Sequence, residues 1–152
     1  YAAKLNKSSG DKNAITLSDV FCVEMHRDSF IEFIKESIDF VFCNEEEIMS
    51  LTMKEAIDEA INSFTNLFPN IEELVCTLGP RGALVISNGR KSHYDATEAE
   101  VVDKTGAGDY FAAGYLYGLQ KKLSIEESAD IANRSAAYVI SEVGVRPKNK
   151  FD

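Results

Sequence analysis

Two apolar runs of strand length constrain the fold of this chain more than any other feature. Residues 38–43 (Ile-Asp-Phe-Val-Phe-Cys) and 74–78 (Leu-Val-Cys-Thr-Leu) are nearly continuous apolar segments, and a helical pattern separates them. Such runs are typical of strands that are covered on both faces. Strands that alternate with helices predict an α/β fold with a parallel or mostly parallel sheet.

The clearest helical pattern covers residues 53–68. Its apolar residues recur at three- and four-residue steps and form one stripe. Thr52 followed by Glu55 matches a capping box, and Pro69 marks the end. We therefore predict one helix over the whole of this segment.

Weaker patterns predict the other elements. Residues 83–87 and 91–94 flank the dipeptide Asn88-Gly89 and indicate a β-hairpin. The remaining predictions are a weak helix over 1–8, a strand over 14–17, a helix from about Asp28, a strand over 101–103 and helices over 109–121 and 124–141. Ligands bind in such folds where strands lead into helices, so we expect ligand-binding residues in the segments after Cys43, Leu78 and Asp103.

Composition and charge exclude several classes of function. The chain has 152 residues, and 16 Lys and Arg against 25 Asp and Glu give a net charge of −9. Nucleic acids and anionic membranes need a dense basic face, so we expect neither as a partner. The most apolar stretch, 110–119, is about half as long as the roughly 20 residues of a membrane span. Three cysteines without a CxxC pair, and two histidines, argue against zinc and favour reduced thiols in a cytoplasmic protein.

The segment Asp-Lys-Thr-Gly-Ala-Gly-Asp at 103–109 carries the strongest chemical signal. Its two glycines permit positive φ and let a ligand approach the backbone closely. The amides of Gly106, Ala107 and Gly108 would point at one position at the start of a helix, which suits a phosphate whose charge grows during transfer. Asp109 would stand beside them, where a carboxylate could take a proton from a hydroxyl. A plain tight turn with Asp109 as a helix cap is the alternative.

Two other phosphate-binding motifs do not fit this turn. The P-loop pattern GxxxxGK[ST] occurs nowhere in the chain. A dinucleotide-binding turn would need a small residue where Phe111 stands, which weighs against a dehydrogenase.

Residues 103–109, followed by Tyr-Phe-Ala-Ala-Gly at 110–114, resemble the C-terminal signature of the PfkB (ribokinase-like) carbohydrate kinases. The resemblance implies a ribokinase-like three-layer α/β/α fold with a mostly parallel central sheet. It also implies that the Gly-Ala-Gly amides form an anion hole and that Asp109 is the catalytic base. Lys104 departs from the more usual threonine, at a position whose side chain is not the base.

A second match to the family follows the first apolar run. Asn44 and Glu47 fit its Asn-x-x-Glu motif, and the resemblance implies that they help to hold Mg²⁺ and phosphate, through water. The same two residues also fit a helix cap with a capping box, and both roles can coexist.

A third match, Thr-Leu-Gly-Pro-Arg-Gly at 77–82, resembles the family's nucleotide loop, although a Gly-Pro turn between strands explains it as well. The resemblance places Asn133 near the adenine and makes Asp103, Thr105 and the turn after Ser141 candidates for a monovalent cation such as K⁺. The residues assigned to the phosphates of ATP are Thr77, Gly79, Arg81 and Gly82.

The resemblance implies an ATP-dependent kinase that phosphorylates a sugar or nucleoside, and residues 16–27 with 39–47 are most similar to the adenosine-kinase-like branch. Asp19 and His26 in that segment are interpreted as a turn cap and a surface or packing residue. Family members are about twice as long, so residues 1–152 correspond to the C-terminal nucleotide-binding and catalytic part. The N-terminal substrate and lid half is then the expected partner, and a homodimer stays open. A non-catalytic nucleotide-binding or regulatory module is the alternative.

Overall fold

The structure is a computed structural model that describes residues 2–146, so the predicted helix start at Tyr1 lies outside the described residues. The chain divides into two compact units, Tyr1–Thr77 with Leu84–Ser92 and Leu78–Ala83 with His93–Asp152. The helices are α1 (Ala2–Ser9), α2 (Val20–Ser37), α3 (Glu45–Thr52), α4 (Ile57–Leu67), α5 (Ala107–Gln120) and α6 (Ile125–Ile140). The strands are β1 (Ala14–Thr16), β2 (Phe40–Asn44), β3 (Glu73–Thr77), β4 (Ala83–Ser87) and β5 (Arg90–Tyr94).

The five strands form one mixed sheet in the order β1-β2-β3-β4-β5. β1, β2 and β3 are parallel neighbours, with Ala14 opposite Phe40 and Val41 opposite Leu74. The connections from β3 to β4 and from β4 to β5 are too short for the crossover that a parallel pair needs, so these pairs are antiparallel. The predicted hairpin and the predicted parallel strands are confirmed.

β2 and β3 form the buried centre of the first unit. Val41, Val75 and Cys76 are fully buried, and Phe42, Cys43 and Leu74 are almost so. Because successive residues of a strand point to opposite faces, both faces of these strands are covered, as the apolar runs predict. Cys43 lies opposite Cys76, and burial raises the pKa of the Cys43 thiol well above its usual value. The three cysteines are free thiols.

The backbone of α2 leaves helical geometry at His26 (φ −129°, ψ 25°), so two helical segments meet there, and the helix predicted from about Asp28 corresponds to the second. The first segment, which begins at Val20, was not predicted. Asp19 caps it, because its carboxylate accepts a hydrogen bond of 2.8 Å from the amide of Cys22. Phe21 and Met25 are 70% and 62% exposed, so the first turns of α2 have no apolar stripe that a pattern search would detect.

The single helix predicted over 53–68 is wrong at its start. Thr52 is the last residue of α3, and Met53 after it adopts a left-handed conformation with φ of 55°. The Thr52 hydroxyl donates to the carbonyl of Ile48 within α3, and α4 begins after Ala56 without a side-chain cap. The buried stripe of α4, which includes Ala60 and Phe64, follows the prediction.

The strand predicted over 101–103 is also absent from the described structure. The amides of Val102 and Asp103 donate to the carbonyl oxygen of Ile140, at 2.8 and 3.2 Å. Val101 and Val102 are each 53% exposed. The segment is therefore fastened to the end of α6 instead of pairing in a sheet.

Close packing of α5 on α6 organises the second unit. A Cβ on Gly118 would lie 2.4 Å from the Ser128 oxygen and 2.7 Å from the Ser128 Cα. A Cβ on Gly114 would lie 2.7 Å from the Ser135 oxygen. The Ser128 hydroxyl is buried there and has no hydrogen-bond partner among the described residues. The backbones approach this closely only because α5 presents glycine on this face.

We expect Gly118→Ala to lower the free energy of unfolding by about 1–3 kcal/mol, because the added methyl group overpacks the α5–α6 contact. Chemical denaturation of the full-length protein measures this. Gly108→Ala, on the same helix, is the matched control, since a Cβ on Gly108 has nothing within 4 Å. Equal stability of the two variants would contradict the packing account.

No helix in residues 2–146 is both long enough and apolar enough to span a bilayer.

Candidate functional site

The carboxyl ends of β2 and β3 bring two of the sequence motifs together. Asn44 and Thr77 are the last residues of these strands and lie opposite each other in the parallel register. The Thr77 hydroxyl donates to the carbonyl of Cys43, at 3.3 Å. The first unit thus places the Asn-x-x-Glu motif beside the threonine of the predicted nucleotide loop, at the edge where α/β proteins bind ligands.

Asn44 and Glu47 form a reciprocal capping box at the start of α3. The Asn44 side chain accepts from the Glu47 amide at 2.8 Å, and Glu47 accepts from the Asn44 amide at 3.0 Å and from its side-chain amide at 2.8 Å. Burial raises the pKa of Glu47, and the bond from the Asn44 amide opposes that shift. The expected helix-capping role is confirmed.

The same pair fits the hydration shell of a magnesium ion. Each Glu47 carboxylate oxygen accepts one hydrogen bond from Asn44 and retains a lone pair for a metal-bound water. Within residues 2–146, no group of three or more His, Cys, Asp and Glu side chains is arranged to hold an ion directly. The remaining lone pairs of Glu47 suit contact through the waters that Mg²⁺ retains.

Asp19 adds a charge that the sequence interpretation missed. It follows β1, just as Asn44 ends β2, and it caps the start of a helix, α2, where the sequence indicated a turn cap. Its negative charge, together with that of Glu46, contributes to the raised pKa of Glu47. Its position after the first parallel strand was the available signal, since carboxyl ends of parallel strands share one edge.

The loop after β3 is a single 3₁₀ turn, Gly79–Arg81, in the second unit. The Leu78 amide donates to the Gly82 carbonyl at 2.7 Å. Gly82 has φ of +90°, and a Cβ on it would lie 2.0 Å from the Tyr94 carbonyl oxygen, so backbone packing alone requires glycine there. Gly79 also has positive φ, but the space beside it is open. Arg81 is exposed.

Asp103 fixes the start of the glycine-rich turn. One oxygen of its carboxylate accepts from the amide and hydroxyl of Thr105, at 2.9 and 2.7 Å, and the other accepts from the Gly144 amide at 3.0 Å. These bonds hold the pKa of Asp103 below its usual value, and the bond from the Thr105 hydroxyl has the largest effect. The ionised carboxylate and the Thr105 oxygen suit a cation chemically, although both already hold the turn together.

The amides of this turn are only partly satisfied internally. Gly106, with φ of 81°, is the N-cap residue of α5, and as a glycine it has no side chain that could accept from the amides of the first turn. The Ala107 amide donates to the Lys104 carbonyl at 3.2 Å. The amides of Gly106, Gly108 and Asp109 have no acceptor among the described residues. Of the three amides expected to form an anion hole, that of Ala107 is thus bonded within the turn, and the neighbouring Asp109 amide is open.

The Asp109 side chain is exposed in the first turn of α5, and it has no hydrogen bond or ion pair to the described residues. Gly108 is exposed as well, and only Gly106 of the two glycines has positive φ. The positive φ thus explains why residue 106 is a glycine. At Gly108 the missing side chain instead leaves open space where a ligand could reach the backbone. Asn133, on α6, is 7% exposed.

Comparison with known proteins places the chain in a family. Residues 3–151 match the pfkB family of carbohydrate kinases, so the chain belongs to that family. It is 30% identical over 109 residues to a ribokinase of Lactococcus lactis, a match that covers 72% of this chain and 34% of the relative. The chain spans about a third of the length of this curated relative.

Solved structures support the same conclusion. An adenosine kinase from Sinorhizobium meliloti superposes with a TM-score of 0.91 at 35% identity, over 97% of this chain and 45% of that one. A ribokinase from Thermotoga maritima superposes with a TM-score of 0.78 at 20% identity, over 95% of this chain and 47% of that one, which supports the fold alone. The predicted ribokinase-like α/β fold is confirmed.

Proposed function

We propose that this chain is the C-terminal, nucleotide-binding and catalytic part of a kinase that transfers the γ-phosphate of ATP to a hydroxyl group of a sugar or nucleoside. One observation carries the proposal. The open amides of Gly106, Gly108 and Asp109 lie at the start of α5, beside a carboxylate that no described residue engages. Ribokinase and adenosine kinase, as similar proteins, support the acceptor class.

The chemistry needs a base and a positively polarised cradle. Asp109 accepts the proton of the acceptor hydroxyl, whose oxygen attacks the γ-phosphorus in line with the departing ADP. The open amides donate hydrogen bonds to the transferring phosphoryl group, and the helix dipole of α5 favours the same charge. Because the backbone holds these amides before the substrate arrives, little reorganisation is needed during transfer.

Other residues serve the nucleotide and its ions. We assign Asn133 to the adenine, and the oxygen atoms of Asp103 and Thr105 to a monovalent cation such as K⁺. Asn44 and Glu47 hold the water shell of Mg²⁺, an ion that neutralises phosphate charge when it is bound. The residues assigned to the phosphates of ATP are Thr77, Gly79, Arg81 and Gly82.

The acceptor site belongs to a different part of the enzyme. The chain spans 45% of the adenosine kinase structure and 34% of the ribokinase sequence that it resembles. In this proposal an N-terminal half supplies most of the acceptor pocket, and the protein works in the cytoplasm.

Incubating the full-length protein with Mg²⁺, ATP and a panel of ribose, fructose, adenosine and cytidine tests the proposal. We expect one acceptor to gain a phosphate while an equal amount of ADP appears. ATP binding without transfer to any acceptor would instead favour a non-catalytic nucleotide-binding module. The absence of ATP binding would contradict both.

A further inference from the structure

The last described segment of the chain is tied to the glycine-rich turn at both of the turn's ends. Before the glycines, the Asp103 carboxylate accepts from the Gly144 amide. After them, the Tyr110 hydroxyl donates to the Val145 carbonyl oxygen at 3.1 Å. We call Gly144 and Val145 the tie segment.

The tie segment also touches the middle of the turn. The Val145 side chain occupies the space beside Gly106, where its Cγ1 lies 2.8 Å from the position that a Cβ would take. Three different contacts thus hold one short segment against the backbone that carries the open amides. The contacts of Asp103 and Tyr110 are hydrogen bonds to the main chain of the tie segment. Of the three contacts, only that of Tyr110 is made by a side chain of α5.

We propose that Tyr110 is a positioning residue for phosphoryl transfer, an inference that rests on the proposed function. Its hydroxyl keeps the tie segment in place, and the tie segment fixes the directions of the Gly106 and Gly108 amides. Tyr110 follows Asp109 directly on α5, so the same bond also restrains the helix turn that carries the base. A cradle that binds charge developing in the transition state depends on such fixed donors.

Tyr110→Phe in the full-length protein removes only the hydroxyl. We expect kcat to fall by about three- to tenfold, the effect of one neutral hydrogen bond, with KM for ATP and the acceptor unchanged. ADP with aluminium fluoride, which resembles the transferring group, should bind more weakly by a similar factor, whereas ADP alone binds equally well.

Tyr117→Phe is the matched control, because Tyr117 lies on the same helix and is 52% exposed. The Lys121 ammonium lies over its ring, a cation–π contact that phenylalanine retains. Equal kcat and equal binding of ADP with aluminium fluoride in the two variants would overturn the inference. A rise in KM together with a lowered melting temperature would also overturn it, since that combination indicates a merely structural role.

Hydrogen exchange separates this inference from the proposed function. Peptides covering 103–110 should exchange faster in Tyr110→Phe than in Tyr117→Phe, and equal exchange would overturn the inference independently of activity. If the wild-type protein phosphorylates no acceptor, the proposed function fails, and exchange alone then decides whether Tyr110 holds the turn.

Discussion

Replacing Asp109 by asparagine should lower the turnover of the full-length kinase by about 10²- to 10⁴-fold. The amide cannot accept the proton of the acceptor hydroxyl, whereas its size and place at the start of α5 are unchanged. ATP affinity should stay nearly the same, because the base acts on the acceptor. Steady-state kinetics together with a direct ATP-binding measurement would check both expectations.

Stability is the control for this substitution. Asp109 lies in the first turn of α5, where its charge favours the helix dipole, so its loss should cost no more than about 1 kcal/mol. Glu126→Gln removes an acidic residue from the first turn of α6 and should leave turnover unaffected. Near-native turnover in Asp109→Asn would contradict the role of Asp109 as the base.

Gly108→Ala should have opposite effects on stability and on activity. Gly108 is helical and a Cβ there meets nothing within 4 Å, so alanine should keep or raise the free energy of unfolding, by up to about 1 kcal/mol. The added methyl group would stand where the phosphoryl group approaches the amides. We expect kcat to fall by about 10²- to 10³-fold, comparable to losing an oxyanion-hole donor.

Gly118→Ala provides the opposite pattern as a control. Alanine there strains the α5–α6 contact, so stability should fall while the folded fraction keeps its kcat. Denaturation curves and active-site titration of both variants separate the two effects. If Gly108→Ala were as active as the wild type, the phosphoryl group would not approach the amides through the space beside Gly108.

The sequence predicted element types well where burial and periodicity agree. β2, β3 and α4 bury continuous or striped apolar residues, and each was found close to its predicted place. The part of α2 before the kink at His26 was missed because Phe21 and Met25 are exposed, which weakens the apolar stripe there. The segment 101–103 has strand-like composition, but its amides bind the carbonyl of Ile140, a tertiary contact that no local pattern reports.

The capping box predicted for Thr52 and Glu55 does not form, because Thr52 belongs to the preceding helix. Thr52 with Glu55 and Asn44 with Glu47 both match a capping box, and only the second pair forms one. Asn44 ends a strand and is free to cap, whereas Thr52 completes the last turn of α3, where its hydroxyl binds Ile48. Sequence spacing alone does not distinguish these two situations.

The motifs of the candidate site could be predicted from the sequence, but the hydrogen bonds and contacts between their residues could not. The order and spacing of the motifs led to Asn44, Thr77 and Asp109, and the parallel register explains why two of them are neighbours. The bond from Tyr110 to Val145 joins residues 35 positions apart, and the bond from Gly144 to Asp103 joins residues 41 positions apart. Such contacts need the folded backbone.

A crystal structure of the full-length protein with ADP, Mg²⁺, aluminium fluoride and the acceptor tests the central claim most directly. We expect fluoride atoms within about 3.2 Å of the Gly106 and Gly108 amide nitrogens, and an Asp109 oxygen at a similar distance from the acceptor hydroxyl. Aluminium fluoride bound elsewhere, or an Asp109 side chain turned away from the acceptor, would contradict it.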